Sequence, residues 1–178
     1  VAATGGGKCP ATAPVKQYNV SAINVEITLN QWLDFYPGYM YVLDEDIDKV
    51  RAEESKNKEA RDKEGFDPGA VIAGVQAQWI QPLTIRANQG DCVKIKLSNK
   101  LEGGEDVSLH IHGSSMVVSA TGAAATTANS DAIATKDKSA DLEWYIHPSL
   151  QEGVRQFHTY SNDRELTVMG MFGSFVVE

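Results

Sequence analysis

Short runs of alternating apolar and polar residues, separated by turn residues, recur along most of this 178-residue chain. The clearest run is residues 92–97, in which apolar side chains alternate strictly with lysines from Val93 onward, as expected of a half-exposed β-strand. Similar strand-like runs cover residues 18–29, 39–43, 83–87, 107–116, 142–146, 154–160 and 170–177. Many short strands with turns between them predict an all-β sandwich.

One block departs from this pattern, because residues 44–64 contain nine acidic and six basic side chains. Asp44 can cap a helix, and acidic residues crowd the first turn. Opposite charges at helical spacing support the same prediction: Glu45 with Lys49, Glu54 with Lys58, and Glu59 with Lys63. Since few apolar residues accompany them, we expect an inserted charged surface helix with solvated later turns, in preference to a binding element.

The charge balance and hydropathy exclude two classes of protein. With 24 acidic and 16 basic residues the formal net charge is −8, which argues against a nucleic-acid binder. No apolar run approaches the roughly 20 residues of a membrane helix, so no membrane span is predicted. We expect residues 1–17 to form an N-terminal arm and residues 18–178 a single domain.

The N-terminus and the cysteines bear on the compartment. The chain begins at Val1 and continues with small residues, which is consistent with removal of a signal peptide or with an arbitrary boundary. Cys9 and Cys92 could form one disulfide that joins the arm to the domain, or they could remain free thiols. A processed, disulfide-bonded chain would be extracytoplasmic, that is periplasmic, at the cell surface or secreted.

The histidines are the best candidates for chemistry. His110 and His112 are two residues apart in a predicted strand, so both imidazoles leave the same face. Imidazole suits copper, zinc and iron, although two surface histidines on a strand would give the same pattern. His158 and Tyr160 share the face of another predicted strand and could meet the first pair. His147 precedes a turn, and we expect it to be exposed or structural.

The order of these motifs resembles the first cupredoxin domain of multicopper oxidases. The resemblance rests on His-Ile-His-Gly at 110–113, Glu-Trp at 143–144, Phe-His-Thr-Tyr at 157–160 and the segment 170–178. Residues 81–83, 88–91 and 97–99 also look like the strand that leads to the first histidine motif of that domain. The resemblance covers about residues 18–178 and implies a cupredoxin-like Greek-key β-sandwich.

In that family the first domain supplies histidines to a trinuclear copper cluster that reduces oxygen. By position, His110 would serve the type 2 copper, and His112 and His158 the type 3 pair, whereas Tyr160 stands at the fourth ligand position. No cysteine follows Cys92, so this chain has no blue copper site. The resemblance therefore implies an oxidase only together with further cupredoxin domains, in the same polypeptide or in a separate subunit.

Two other functions remain open at this point. The chain could be a non-catalytic structural or assembly module that keeps the sandwich and has lost the copper cluster, as Tyr160 and the missing cysteine suggest. It could also be a mononuclear copper carrier that uses His110, His112 and His158.

Overall fold

Nine strands form two sheets in the computed structural model, which describes residues 8–63, 68–73, 77–112, 118–119, 130–161 and 163–178. The strands are β1 Val15–Thr28, β2 Phe35–Leu43, β3 Leu83–Ala87, β4 Cys92–Asn99, β5 His110–Ile111, β6 Val118–Ser119, β7 Ser139–Tyr145, β8 Gly153–His158 and β9 Phe172–Val177. The first sheet has the order β2-β1-β4-β7-β6 and the second β3-β9-β8-β5. β1 runs parallel to β4 and β3 parallel to β9, while the other pairs are antiparallel. The predicted cupredoxin-like sandwich is confirmed.

The main core lies between the two sheets and is built by alternation along each strand. In β4, Val93, Ile95 and Leu97 are buried while the lysines between them are exposed. Large aromatic side chains close the space between the sheets, and the ring of Trp144 packs edge-on against Phe175 with centroids 4.6 Å apart. The period-two pattern therefore correctly predicted which face of β4 is buried.

β2 begins earlier than predicted. It starts at Phe35, four residues before the strand-like run at 39–43, and Glu26 pairs with Pro37. The chain reverses at residues 29–34, where the N–H of Leu29 donates to the carbonyl of Asp34. Pro37 is tolerated because β2 is the edge strand of its sheet. β1 also begins at Val15, three residues before the predicted start of the domain.

Two strand predictions in the second half were too long. Of the predicted strand 107–116, only His110–Ile111 forms a ladder, Val107 makes an isolated bridge with Ala134, and residues 113–117 lie outside the described residues. β8 ends at His158, two residues earlier than predicted. Between the predicted strands 107–116 and 142–146, Ser130–Ala132 form a helical turn and β7 begins at Ser139, whereas residues 120–129 are not among those described.

The charged block forms a helical turn at Asp44–Asp46 followed by the helix α1 Ile47–Asp62. The helix was predicted correctly, and its last turn has no buried residue, but its middle turns are less solvated than predicted. Glu53, Glu54 and Asn57 are buried because they bond to backbone groups of neighbouring segments. Val50 and the partly buried Ile47 pack with apolar residues on the outer face of the first sheet, so α1 is fixed by two apolar residues and several polar anchors. A short second helix, α2, covers Asp163–Leu166.

The two cysteines form the expected disulfide, with Cα atoms 5.6 Å apart. The bond joins the N-terminal arm to the start of β4, and Cys92 is completely buried. In the described part of the chain, no helix is both long enough and apolar enough to cross a membrane.

Candidate metal centre

β5 and β8 place two histidines directly opposite each other at the edge of the second sheet. His110 in β5 pairs with His158 in β8, and β5 is the last strand of that sheet. His112 follows β5, and its backbone N–H donates to the carbonyl of Gln156, which extends the pairing by one residue. Because side chains two apart leave one face, the imidazoles of His110 and His112 project toward the same side as that of His158.

The three imidazoles form a cluster. The ring centroids are 4.6 Å apart for His112 and His158, 5.3 Å for His110 and His112, and 6.2 Å for His110 and His158. His158 is buried, His110 is half-buried and His112 is exposed. The exposed ring of His112 therefore places one side of the cluster at the surface, beside β5, the last of the described strands of the second sheet.

The hydrogen bonds of His158 define which of its nitrogens is available. Its Nδ1 lies 2.6 Å from the carbonyl oxygen of Thr159, so Nδ1–H donates to that oxygen. In the neutral ring, Nε2 then carries a lone pair, and it lies 2.5 Å from Nε2 of His112. A proton on His112 Nε2 satisfies this contact in the absence of a cation.

The same arrangement suits a metal ion. A ligating imidazole commonly donates its second N–H to a backbone carbonyl, as His158 does here. Two nitrogens bonded to one ion at about 2.0 Å lie about 2.8–3.3 Å apart, so a small rotation of either ring would admit an ion. Imidazole nitrogen is a preferred ligand of copper. The donor set therefore fits the metal that the resemblance implies.

Burial favours the neutral, ligand-competent form of His110. Desolvation by burial, together with the charges of His112 and His158, lowers its pKa to about 4. Since only a neutral imidazole can ligate a metal ion, the lowered pKa keeps His110 competent as a ligand at neutral pH.

Tyr160 joins the cluster although it lies beyond the end of β8. Its ring stacks on His110 with centroids 4.0 Å apart and planes inclined by 28°, and it meets His158 edge-on at 5.3 Å. The strand that was predicted to carry Tyr160 ends at His158, so the chain turn, and not the pleat, brings the phenol to this face.

The remaining histidine is separate from the cluster. His147 accepts the N–H of Ser149 at Nδ1, 3.1 Å away, and also contacts the Ser149 hydroxyl, so it stabilises the turn after β7. Across the described ranges, no group of three His, Cys, Asp or Glu side chains is arranged to hold a single metal ion. An arrangement in which the imidazoles are divided between ions is compatible with this finding.

Two buried hydroxyl residues beside the histidines were missed by sequence reasoning. Ser108 and Thr159 are almost completely buried and bond to each other's strand. Nothing in the pattern of the sequence distinguishes them from the other serines and threonines of the chain. Only their neighbours in sequence, His110 and His158, could have drawn attention to them.

Comparison with known proteins identifies the family. Residues 60–178 match the family model described as multicopper oxidase. No curated protein matches the sequence significantly. Similar solved structures include a multi-copper oxidase from Pseudomonas thermotolerans, with 16% identity over 94% of this chain and a TM-score of 0.55, and a second multicopper oxidase, with 14% identity over 97% and a TM-score of 0.58. A copper nitrite reductase from Nitrosomonas europaea is similar over 92% of this chain, with 13% identity and a TM-score of 0.56.

These structures are much longer than the chain, which spans 30%, 45% and 41% of their respective lengths. At such low identity the structural likeness establishes the fold, and the sequence match to the family model establishes the relationship. The chain therefore has a cupredoxin-like fold and belongs to the multicopper oxidase family.

Proposed function

We propose that this chain supplies His110, His112 and His158 as ligands to a type 2/type 3 copper cluster of a multicopper oxidase. The observation that carries the proposal is the convergence of three imidazoles, with the Nε2 atoms of His112 and His158 facing each other 2.5 Å apart. Copper bound there would supply the one-electron chemistry with which the family reduces oxygen. The chain's own residues hold neutral nitrogens in place for it.

The position of the cluster supports a centre completed from outside this domain. The imidazoles lie at the β5 edge of the second sheet, as the described strands form it, and His112 is exposed. Ligands from a further cupredoxin domain, in the same polypeptide or in a partner subunit, can therefore approach this edge. The chain spans less than half of the similar multicopper oxidase structures, which leaves room for such domains.

Substrate oxidation would take place elsewhere. A blue copper site needs a cysteine thiolate, and both cysteines of these 178 residues are bonded to each other. The disulfide also supports an extracytoplasmic location, because such bonds persist in oxidising compartments. On this proposal the domain contributes to the oxygen-reducing cluster and requires a partner domain for oxidase activity.

The test is copper binding by the purified chain. We expect copper to bind substoichiometrically or at about one ion per chain, with imidazole ligation, and the double variant H110A/H112A to abolish binding. H147A is the matched control, since His147 is a half-buried histidine outside the cluster. Equal copper in the wild type and in H110A/H112A, measured by elemental analysis and EPR, would refute the ligand assignment.

A second function is favoured by Tyr160. A phenol that stacks on His110 occupies the position of the fourth histidine, and a domain with an incomplete ligand set could serve as a structural or assembly module. Tyr160→His, studied with the remaining domains or the partner subunit, separates the two functions. A gain of near-ultraviolet absorption from coupled type 3 copper would show that the tyrosine disables the cluster. An unchanged spectrum with unliganded His158 would favour the structural module.

A further inference from the structure

Hydroxyl groups continue the pairing of β5 and β8 beyond the histidines. In the antiparallel register, Ser108 and Tyr160 follow the pair His110 and His158. The N–H of Ser108 donates to Oγ1 of Thr159 at 3.1 Å, and the N–H of Tyr160 donates to Oγ of Ser108 at 2.9 Å. Each backbone N–H is therefore satisfied by a side chain from the opposite segment, where a regular ladder would use a carbonyl.

The hydroxyl of Thr159 uses its full bonding capacity. It accepts the N–H groups of Ser108 and Ser161 and donates to the carbonyl of Ser161, each at 3.1 Å. A hydroxyl has one donor and two acceptor positions, so all three are occupied. Thr159 is completely buried, and Ser108, whose carbonyl accepts the hydroxyl of Tyr41 at 2.6 Å, is 1% exposed. Water therefore cannot readily replace these bonds.

The same residue bonds directly to the imidazole cluster. The carbonyl of Thr159 accepts Nδ1–H of His158, and the next residue, Tyr160, stacks on His110. The orientation of this carbonyl depends on the conformation of the turn at 159–161. The Thr159 hydroxyl stabilises that turn, because it accepts the N–H of Ser108 on the opposite segment and the N–H of Ser161 within the turn.

We propose that Thr159 is a positioning residue, whose buried hydroxyl fixes the tautomer of His158 and the place of the Tyr160 ring on His110. The relevance to copper rests on the proposed function, since the positioned imidazoles are the proposed ligands. The positioning itself is a property of the metal-free chain and can be measured without copper.

The test compares Thr159→Val, which keeps the shape and removes the hydroxyl, with Thr159→Ser, which keeps the hydroxyl. Long-range ¹H–¹⁵N NMR of the metal-free chain reports the histidine tautomers. We expect a single Nδ1–H tautomer of His158 in the wild type and in Thr159→Ser, and a mixture of both tautomers in Thr159→Val. Thr28→Val is the matched control, because Thr28 is a buried threonine in the other sheet, and it should leave His158 unchanged.

Copper binding gives the second readout. Loss of a group that orients a ligating histidine typically weakens metal affinity about 10–100-fold, and we expect this change in Thr159→Val with recovery in Thr159→Ser. If the wild-type chain binds no copper, the proposed function fails, and the tautomer measurement still decides whether Thr159 positions His158. A folded Thr159→Val with wild-type His158 shifts would overturn the inference.

Ser108→Ala covers the case in which Thr159→Val does not fold. This variant removes the acceptor of the Tyr160 N–H and the 3.3 Å contact of the Ser108 hydroxyl with Thr159 Oγ1, and it is smaller by one oxygen. We expect the Tyr160 ring to move, so that the ring-current shift of the His110 imidazole protons decreases. An unchanged shift in folded Ser108→Ala would overturn the positioning of Tyr160 by these hydroxyls.

Discussion

The buried carboxylate of Glu53 anchors the segment that follows α1, and its neutralisation should destabilise the domain. Its Oε2 accepts the N–H groups of Gln78 and Trp79, and its Oε1 accepts that of Ile80, each at 3.1 Å. The side chain is 4% exposed, so water has little access to these bonds. Three N–H groups of an irregular segment therefore depend on one carboxylate.

The size of the effect follows from this geometry. In Glu53→Gln the amide oxygen can serve one side of the site, while the amide NH₂ faces backbone N–H on the other, and two donors cannot bond. A hydrogen bond to a charged group contributes about 1.5–3 kcal/mol, and one between neutral groups about 1 kcal/mol. The variant loses one hydrogen bond and weakens the others, but it no longer buries a charge. The net decrease in the free energy of unfolding is therefore about 3 kcal/mol. For a chain of this size the melting temperature should decrease by about 6–12 °C.

Thermal and urea unfolding followed by circular dichroism would measure this change. The matched control is Glu59→Gln, the same substitution at an exposed position of the same helix, which should change stability by less than about 0.5 kcal/mol. If the two variants differ by less than this amount, the carboxylate does not hold the segment as described.

Three further predictions concern stability. Cys9→Ala should lower the free energy of unfolding by about 4.5 kcal/mol, the loop-entropy value for a separation of 83 residues, and an effect below about 1 kcal/mol in urea unfolding would contradict it. At Glu54, burial is outweighed by hydrogen bonds from a backbone N–H and two cations, so its pKa is lowered. The ionised Glu54 carboxylate therefore stabilises the fold above its unfolded pKa, and this stabilisation is lost as pH falls through its folded pKa. The difference in stability between the wild type and Glu54→Gln should decrease below about pH 4, and a difference that stays constant with pH would contradict this. Gly170→Ala should destabilise the domain more than Gly90→Ala in the same assay. Both glycines have positive φ, but only a Cβ at position 170 would clash with a backbone oxygen, that of Tyr39 at 2.7 Å. Equal effects of the two substitutions would exclude the clash.

Local alternation was enough to predict the strands that carry the core. The buried face of β4 follows from its strict apolar and cationic pattern, because one side of this strand faces the core and the other faces solvent. The cysteine count alone left two outcomes, a disulfide or two free thiols, and the fold brings Cys9 beside Cys92 to form the bond. His158 and Tyr160 lie beside His110 and His112, as the shared strand faces suggested, since the register of β5 and β8 sets His110 opposite His158.

The features that sequence reasoning missed depend on contacts between distant segments. Glu53 looks like a solvated helix residue until the segment 78–80 presents its N–H groups to it. β5 begins later and β8 ends earlier than predicted because the hydroxyls of Ser108 and Thr159 accept the backbone N–H groups there. Hydrogen bonds of this kind produce no repeating pattern in the sequence, so only the folded structure identifies the residues that make them.

The central claim is that His110, His112 and His158 ligate copper, and pulsed EPR on the Cu(II)-loaded chain with ¹⁵N-labelled histidine tests it most directly. This method detects the nitrogens that are magnetically coupled to the bound copper. We predict coupling to imidazole nitrogen in the wild type and in H147A, and its loss in H110A/H112A. The same ¹⁵N coupling in H110A/H112A as in the wild type would contradict the claim, because copper would then be bound elsewhere on the chain.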